Sequence, residues 1–255
     1  MKFIEATWDT KTLGLPTYEI ILESGDKLND LKRIEDNFYQ DYHITVKTPV
    51  GIPDFLYSLK DYGYVFVETN FDITLHKKNY IRPKIMDRFE SYLQVKKIDI
   101  QTDYERIFEN ISHEIFTTDR ISLNPNFSFK DSNKRYINWI KALKLKGESL
   151  FEILFRKAPI GFFVTEKIDN NSVGGVLSGL YKQSTELGLG LVLMAKEREM
   201  QWQLNYSKYL TSVASNNPQA LRSNLHLGGE IVEMNYVYSK TLINKSRTQS
   251  IIAEN

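Results

Sequence analysis

The 255-residue chain contains no cysteine and is sparing with histidine (4), tryptophan (3) and proline (7). Without cysteine there is no disulfide framework, no thiolate nucleophile and no zinc site built on sulfur. His43, His76, His113 and His226 lack the i,i+4 spacing of a helical metal pair, so no metal is expected. Charge of one sign is not in excess either, since 33 Lys and Arg face 32 Asp and Glu, for a formal net charge of +1. Phosphate backbones and anionic membranes are bound by clustered basic excess, so neither nucleic acid nor membrane is an expected partner. No apolar run approaches the roughly 20 residues that span a bilayer. Met1-Lys2-Phe3-Ile4-Glu5 also has no apolar leader core. A cytoplasmic protein is the expectation.

With 42% apolar and 25% charged residues, the composition is that of a globular protein whose length allows two small domains. Over the first 75 residues strands alternate with helices. Residues 17–22 are β-rich, Leu28, Leu31, Ile34 and Phe38 recur at helical spacing, and 43–48 is a β-branched run. Pro53 opens a short helix, and Gly63 precedes a strand over 64–69. Residues 79–126 are less regular and read as a crossover between domains. Beyond it come a capped helix over 131–147, strands at 150–156, 160–167 and 173–181, and a helix from Gly190 through Met200. A strand at 210–214, a helix at 218–227 and a strand at 231–238 follow, and the tail after Lys240 reads as loosely held. The expected fold class is α/β with mixed sheets, divided into an N-terminal domain over 1–115 and a C-terminal domain over 116–255.

The junction Thr185-Glu186-Leu187-Gly188-Leu189-Gly190 runs from a strand directly into a helix. The unpaired N–H groups of a helix's first turn bind phosphate oxygens, and glycines let a pyrophosphate approach the backbone. The junction is neither a dinucleotide fingerprint nor a Walker loop.

The order of elements over 121–240 resembles the GNAT superfamily of acyl-CoA-dependent N-acyltransferases. Thr185-X-X-Gly188-X-Gly190 stands where that family has Gln/Arg-X-X-Gly-X-Gly/Ala. The segment Thr-Ser-Val-Ala-Ser-Asn-Asn-Pro-Gln-Ala, 211–220, stands at the family's fifth strand and the helix start after it. Leu227-Gly228-Gly229-Glu230-Ile231 stands at its Leu-Gly-Phe turn. A narrower resemblance is to the two-domain N-acyltransferases of dTDP-linked amino-deoxy sugars. It is carried by Trp8-Asp9-Thr10 with Gly14, by Tyr62-Gly63-Tyr64-Val65-Phe66-Val67-Glu68, and by Asp119-Arg120 through Asn124-Pro125-Asn126-Phe127.

The resemblance implies a GNAT fold preceded by a smaller α/β domain that contributes to substrate binding. Acyl-CoA is the implied co-substrate, and a dTDP-amino sugar used for O-antigen or another surface polysaccharide is the implied acceptor. The acyl group is acetyl or a short chain such as 3-hydroxybutyryl. Thr185, Leu187, Gly188, Leu189, Gly190, Leu180 and Asn217 are the implied CoA-binding residues, and the strand over 173–181 offers its free edge to pantetheine. Asn224 stands seven residues after Asn217, where many members carry a tyrosine that protonates the leaving thiolate. An amide donates a hydrogen bond but has no titratable proton, so acid catalysis is not assigned to it. Asn217, Asn224 and Glu68 are the catalytic candidates.

Each candidate has an ordinary structural alternative. Asn217 caps a helix before Pro218, Glu68 ends a strand, and Gly174-Gly175 fits a bulge or close sheet packing. His226 lies on a different helical face from Asn224. Tyr236 and Tyr238 share one face of the last strand as core or interface aromatics. Two other functions remain open: a GNAT enzyme acting on a protein or small-molecule amine, and a non-catalytic acyl-CoA-binding protein. A homodimer is the default assembly.

Overall fold

The computed structural model describes residues 1–38, 41–113, 115–185 and 188–243. The loosely held tail expected from the sequence lies almost wholly outside them. In chain order the strands are β1 (Lys2–Glu5), β2 (Thr17–Ile21), β3 (Tyr42–Pro49), β4 (Val65–His76), β5 (Leu93–Lys97), β6 (Ser149–Phe155), β7 (Ala158–Lys167), β8 (Ser172–Leu180), β9 (Lys208–Ala214) and β10 (Glu230–Leu242). The helices are α1 (Thr7–Leu13), α2 (Leu28–Glu35), α3 (Pro53–Asp61), α4 (Met86–Phe89), α5 (Gln101–Ser112), α6 (Phe129–Leu145), α7 (Lys182–Thr185), α8 (Gly190–Gln203) and α9 (Pro218–His226). The expected α/β class with mixed pairing is what the chain adopts.

The division into units departs from the expected one. One compact unit joins Met1–Asn70 to Met234–Asn255, and the other is Phe71–Glu233. The boundary at 115/116 fails because β5 pairs with β6 and because α5 shares a buried core with α6, so 79–113 belong to the second unit. In the first unit β2 pairs with β1 and β3, and β3 pairs with β10. Ile20, Leu31, Ile44, Val46, Leu59 and Tyr238 fill its core. In the second unit the order runs β4, β9, β8, β7, β6, β5. Alternation along its strands builds two cores. Leu150, Phe162 and Val164 pack with α5 and α6, while Phe151, Ile153 and Phe163 pack with α8.

The two units repeat one motif. α3 and α9 are each nine residues long and each opens on a proline, Pro53 and Pro218, 165 residues apart. Gly63 and Gly228 follow at that same separation, with φ of 81° and 93°. At this offset seven of the nineteen positions over 53–71 are identical: Pro53, Leu56, Ser58, Gly63, Val67, Glu68 and Asn70 match Pro218, Leu221, Ser223, Gly228, Val232, Glu233 and Asn235. Strand β3, helix α3 and strand β4 are thus repeated as β9, α9 and β10. The final strands are exchanged: β10 pairs with β3 in the first unit, and residues 71–76 of β4 lie beside β9 in the second.

Candidate active site

The second unit contains a split between two parallel strands. β8 and β9 pair only from Ser172↔Lys208 to Gly175↔Thr211. Beyond that register β8 runs on to Leu180 and β9 to Ala214 without each other. The cause is local. Against β7, Val164 faces Leu177 and Thr165 faces Gly175, so Val176 is an extra residue in β8. Such a bulge bends its strand and raises its twist. β8 stays on β7 as far as Gly161↔Leu180 while it leaves β9, and its half-exposed edge keeps backbone groups for a ligand to pair with.

Buried groups hold both sides of this split. Next to the bulge, a Cβ on Gly175 would overlap the Tyr209 phenol, so the site accepts only glycine. The Tyr209 hydroxyl donates to Glu197 on α8, and the Arg198 guanidinium lies 3.5 Å from the Tyr209 ring centroid. Arg198 Nη1 is ion-paired with Glu197 Oε2 at 2.8 Å. Burial pushes the Glu197 carboxyl up against the pull of Arg198 and Tyr209, and burial also pushes the Tyr209 phenol well up. At the other end of β8, the Tyr181 hydroxyl donates to Glu152 Oε1 at 2.6 Å, and Arg106 donates to both Glu152 oxygens at 3.0 and 2.5 Å. Burial, then Glu152, raises the Tyr181 phenol. These are fixed supports.

Past β8 the chain turns through α7 to Gly188 and enters α8 at Gly190. Gly188 has φ +65°, and a Cβ there would meet nothing within 4 Å, so its open side is available to a ligand. α8 is 14 residues long with no acidic residue in its first turn, and among the described residues no side chain caps its N-terminus, which suits its first-turn N–H groups to an anion. Leu189 is buried in the α8 core, Leu180 packs against it, and Thr185 Oγ1 donates to the Lys182 carbonyl at 2.7 Å. Leu187 lies outside the described residues.

The remaining candidates are placed as follows. Asn217 is exposed and caps α9, its Oδ1 accepting from Ala220 N at 3.1 Å. Asn224 is 4% exposed, accepting from Arg198 Nη2 at 2.9 Å and donating to the Ala220 carbonyl at 3.0 Å. Its amide therefore joins the buried Glu197, Arg198 and Tyr209 network, which explains why asparagine fits there. Glu68 is buried in the part of β4 that belongs to the first unit, and its repeat partner is Glu233. His226 is exposed at the end of α9, and Tyr236 and Tyr238 both meet the Phe66 ring edge-on. The bulge, one of the two ordinary readings of Gly174-Gly175, falls at the next residue, Val176, whereas reading the sequence missed the Asp72–Ser212 hydrogen bond of 2.6 Å beside the split.

No protein-family model matches the chain. No curated protein matches it in sequence. Solved structures do match in shape. A GCN5-related N-acetyltransferase from Sphaerobacter thermophilus superposes with a TM-score of 0.62 at 10% identity, over 95% of this chain and 76% of its own. Another from Kribbella flavida superposes with a TM-score of 0.54 at 12% identity, over 89% and 81%. The chain has the GNAT fold. A tandem GNAT protein from the clavulanic acid biosynthesis pathway also matches, with a TM-score of 0.50 and 12% identity over 89% and 76%.

Proposed function

We propose that the protein is an acyl-CoA-dependent N-acyltransferase whose acyl donor lies in the split between β8 and β9. The observation that carries this reading is the end of β8–β9 pairing after Gly175↔Thr211, adjacent to the Gly188-Leu189-Gly190 start of α8. The first-turn N–H groups of α8, with Gly188 and Gly190 beside them, would take the pyrophosphate, and the free edge over 176–180 would take the pantetheine amides. The donor supplies an activated thioester. The acceptor's neutral amine forms the N–C bond, and the C–S bond breaks with its electron pair leaving on sulfur. The amine proton passes to water, and a thiol with a pKa of about 8.5 is a workable leaving group without an acid at Asn224.

The finer reading is that the acceptor is a dTDP-linked amino-dideoxy sugar destined for a surface polysaccharide. It is supported by the Trp8-Asp9-Thr10, Tyr62 to Glu68 and Asp119 to Phe127 resemblances. The test is thiol release with acetyl-CoA and 3-hydroxybutyryl-CoA against dTDP-3-amino and dTDP-4-amino dideoxy sugars, with free amino sugars and a basic peptide alongside. Turnover confined to the dTDP sugars is the expected result. Turnover with the peptide alone would replace the sugar reading, and CoA binding without turnover would leave a binding protein.

A further inference from the structure

We propose that Asp72 and Ser212 form the subsite that receives the acceptor's amine, an assignment that rests on the N-acyltransferase reading. Ser212 is the first residue of β9 beyond the last β8 pair, Gly175↔Thr211, and it is exposed. Its hydroxyl donates to Asp72 Oδ1 at 2.6 Å, from the neighbouring strand β4. Alternation fixes which way the pair points. Tyr209 reaches Glu197 on α8, so Leu210, Ser212 and Ala214 face the other side of the sheet. On β4, Ile73 packs beneath Gly229 at the end of α9, so Asp72 also faces away from α8 and α9. The pair therefore lies on the face of the sheet away from α8, one register position beyond the last β8–β9 pair.

The internal repeat shows that the fold itself does not require a carboxylate here. The residues 165 positions from Asp72 and Ser212 are Val237 and Lys47, and these two are register partners in the first unit. There Lys47 pairs with Glu19 at 2.9 Å and no split accompanies it. A carboxylate with a hydroxyl one register position beyond the last β8–β9 pair suits a cationic amine, which it orients through charge-assisted hydrogen bonds before the proton is lost to water.

The test is calorimetric titration of the CoA-loaded full chain with a dTDP-4-amino-dideoxy sugar, its 3-amino isomer and a primary-amine peptide. Each is compared with its hydroxyl counterpart. The wild type is expected to prefer at least one amine over its hydroxyl counterpart by tenfold or more, the range of a hydrogen bond to a charged group. Asp72→Asn, which keeps a hydrogen-bond acceptor for Ser212, is expected to reduce that preference to within about twofold while CoA affinity holds. Ser212→Ala is expected to reduce it by a smaller factor. No amine preference in the wild type, or a preference that survives Asp72→Asn, would overturn the assignment. A wild-type chain that binds no CoA would overturn the underlying reading as well.

Discussion

The two halves of the repeat share a β-α-β-α-β order, with the short α7 added in the second, and only one of them opens. In the first unit β2 pairs with β3 along its whole length, from Thr17↔His43 to Ile21↔Lys47, and Leu22 N–H continues the ladder to the Lys47 carbonyl. In the second unit the equivalent pairing stops after four residue pairs. The helix that follows differs as well. α2 has eight residues and carries Asp30 in its first turn, next to Glu23 and Asp26 in the preceding loop. α8 has 14 residues and an acid-free first turn behind Gly188 and Gly190. Carboxylates at a helix N-terminus occupy the field that would otherwise hold phosphate. A bulge, a helix first turn free of acidic residues and a buried support thus separate an open copy from a closed one.

The largest expected effect comes from removing the support. Arg198→Met leaves Glu197 buried without its cation and is expected to cost about 3–5 kcal/mol in denaturant unfolding. Arg33→Met on α2, where the side chain is 81% exposed, should cost less than about 0.5 kcal/mol. Equal costs would erase the contrast between the two copies. Gly175→Ala drives a methyl into the Tyr209 ring and is expected to cost about 3 kcal/mol, read as a lowered thermal midpoint. Deleting Val176 removes the bulge and should let β8 pair further along β9. The expected outcome is a loss of CoA affinity of tenfold or more, about 1.4 kcal/mol, in calorimetric titration. Unchanged affinity would separate the bulge from binding.

A smaller effect lies at the β5 edge. Burial opposes ionisation of Asp103, but hydrogen bonds from Lys96 and Arg106 outweigh it and hold the carboxyl below its ordinary value. A folded pKa below the unfolded one gives stability that is present above about pH 4 and lost as pH falls through the folded value. Asp103→Asn is expected to cost about 1 kcal/mol at neutral pH and to flatten that part of the acid unfolding profile.

Much of this architecture is legible from spacing. Leu28, Leu31 and Ile34 mark α2, Pro218 opens α9, and the hairpin expected at Lys157-Ala158-Pro159 is β6–β7, although its turn is Arg156-Lys157 and Ala158 and Pro159 already belong to β7. Local patterns do not report pairings across the chain, which is why the exchange of β4 and β10 and the composite units escape them. β4 reads as ending near Thr69 because Asn70 and Asp72 resemble turn residues, yet it continues to His76, and Asp72 is one of the residues that matter. β1 and α1 are too short to show a period. Gly174-Gly175 signals close packing, and the packing partner, Tyr209, is supplied by another strand. Asn224 is a helix position whose role is fixed by a buried arginine 26 residues earlier, a contact that no motif spacing encodes.

On the proposed function, one copy of the repeat binds an acyl donor and the other does not. Calorimetric titration of the full chain with acetyl-CoA tests it most directly, run beside a Gly190→Val variant that crowds the α8 start. One molecule bound per chain, and binding lost in the variant, is the expected result. Two molecules per chain, none, or undiminished binding in Gly190→Val would contradict it.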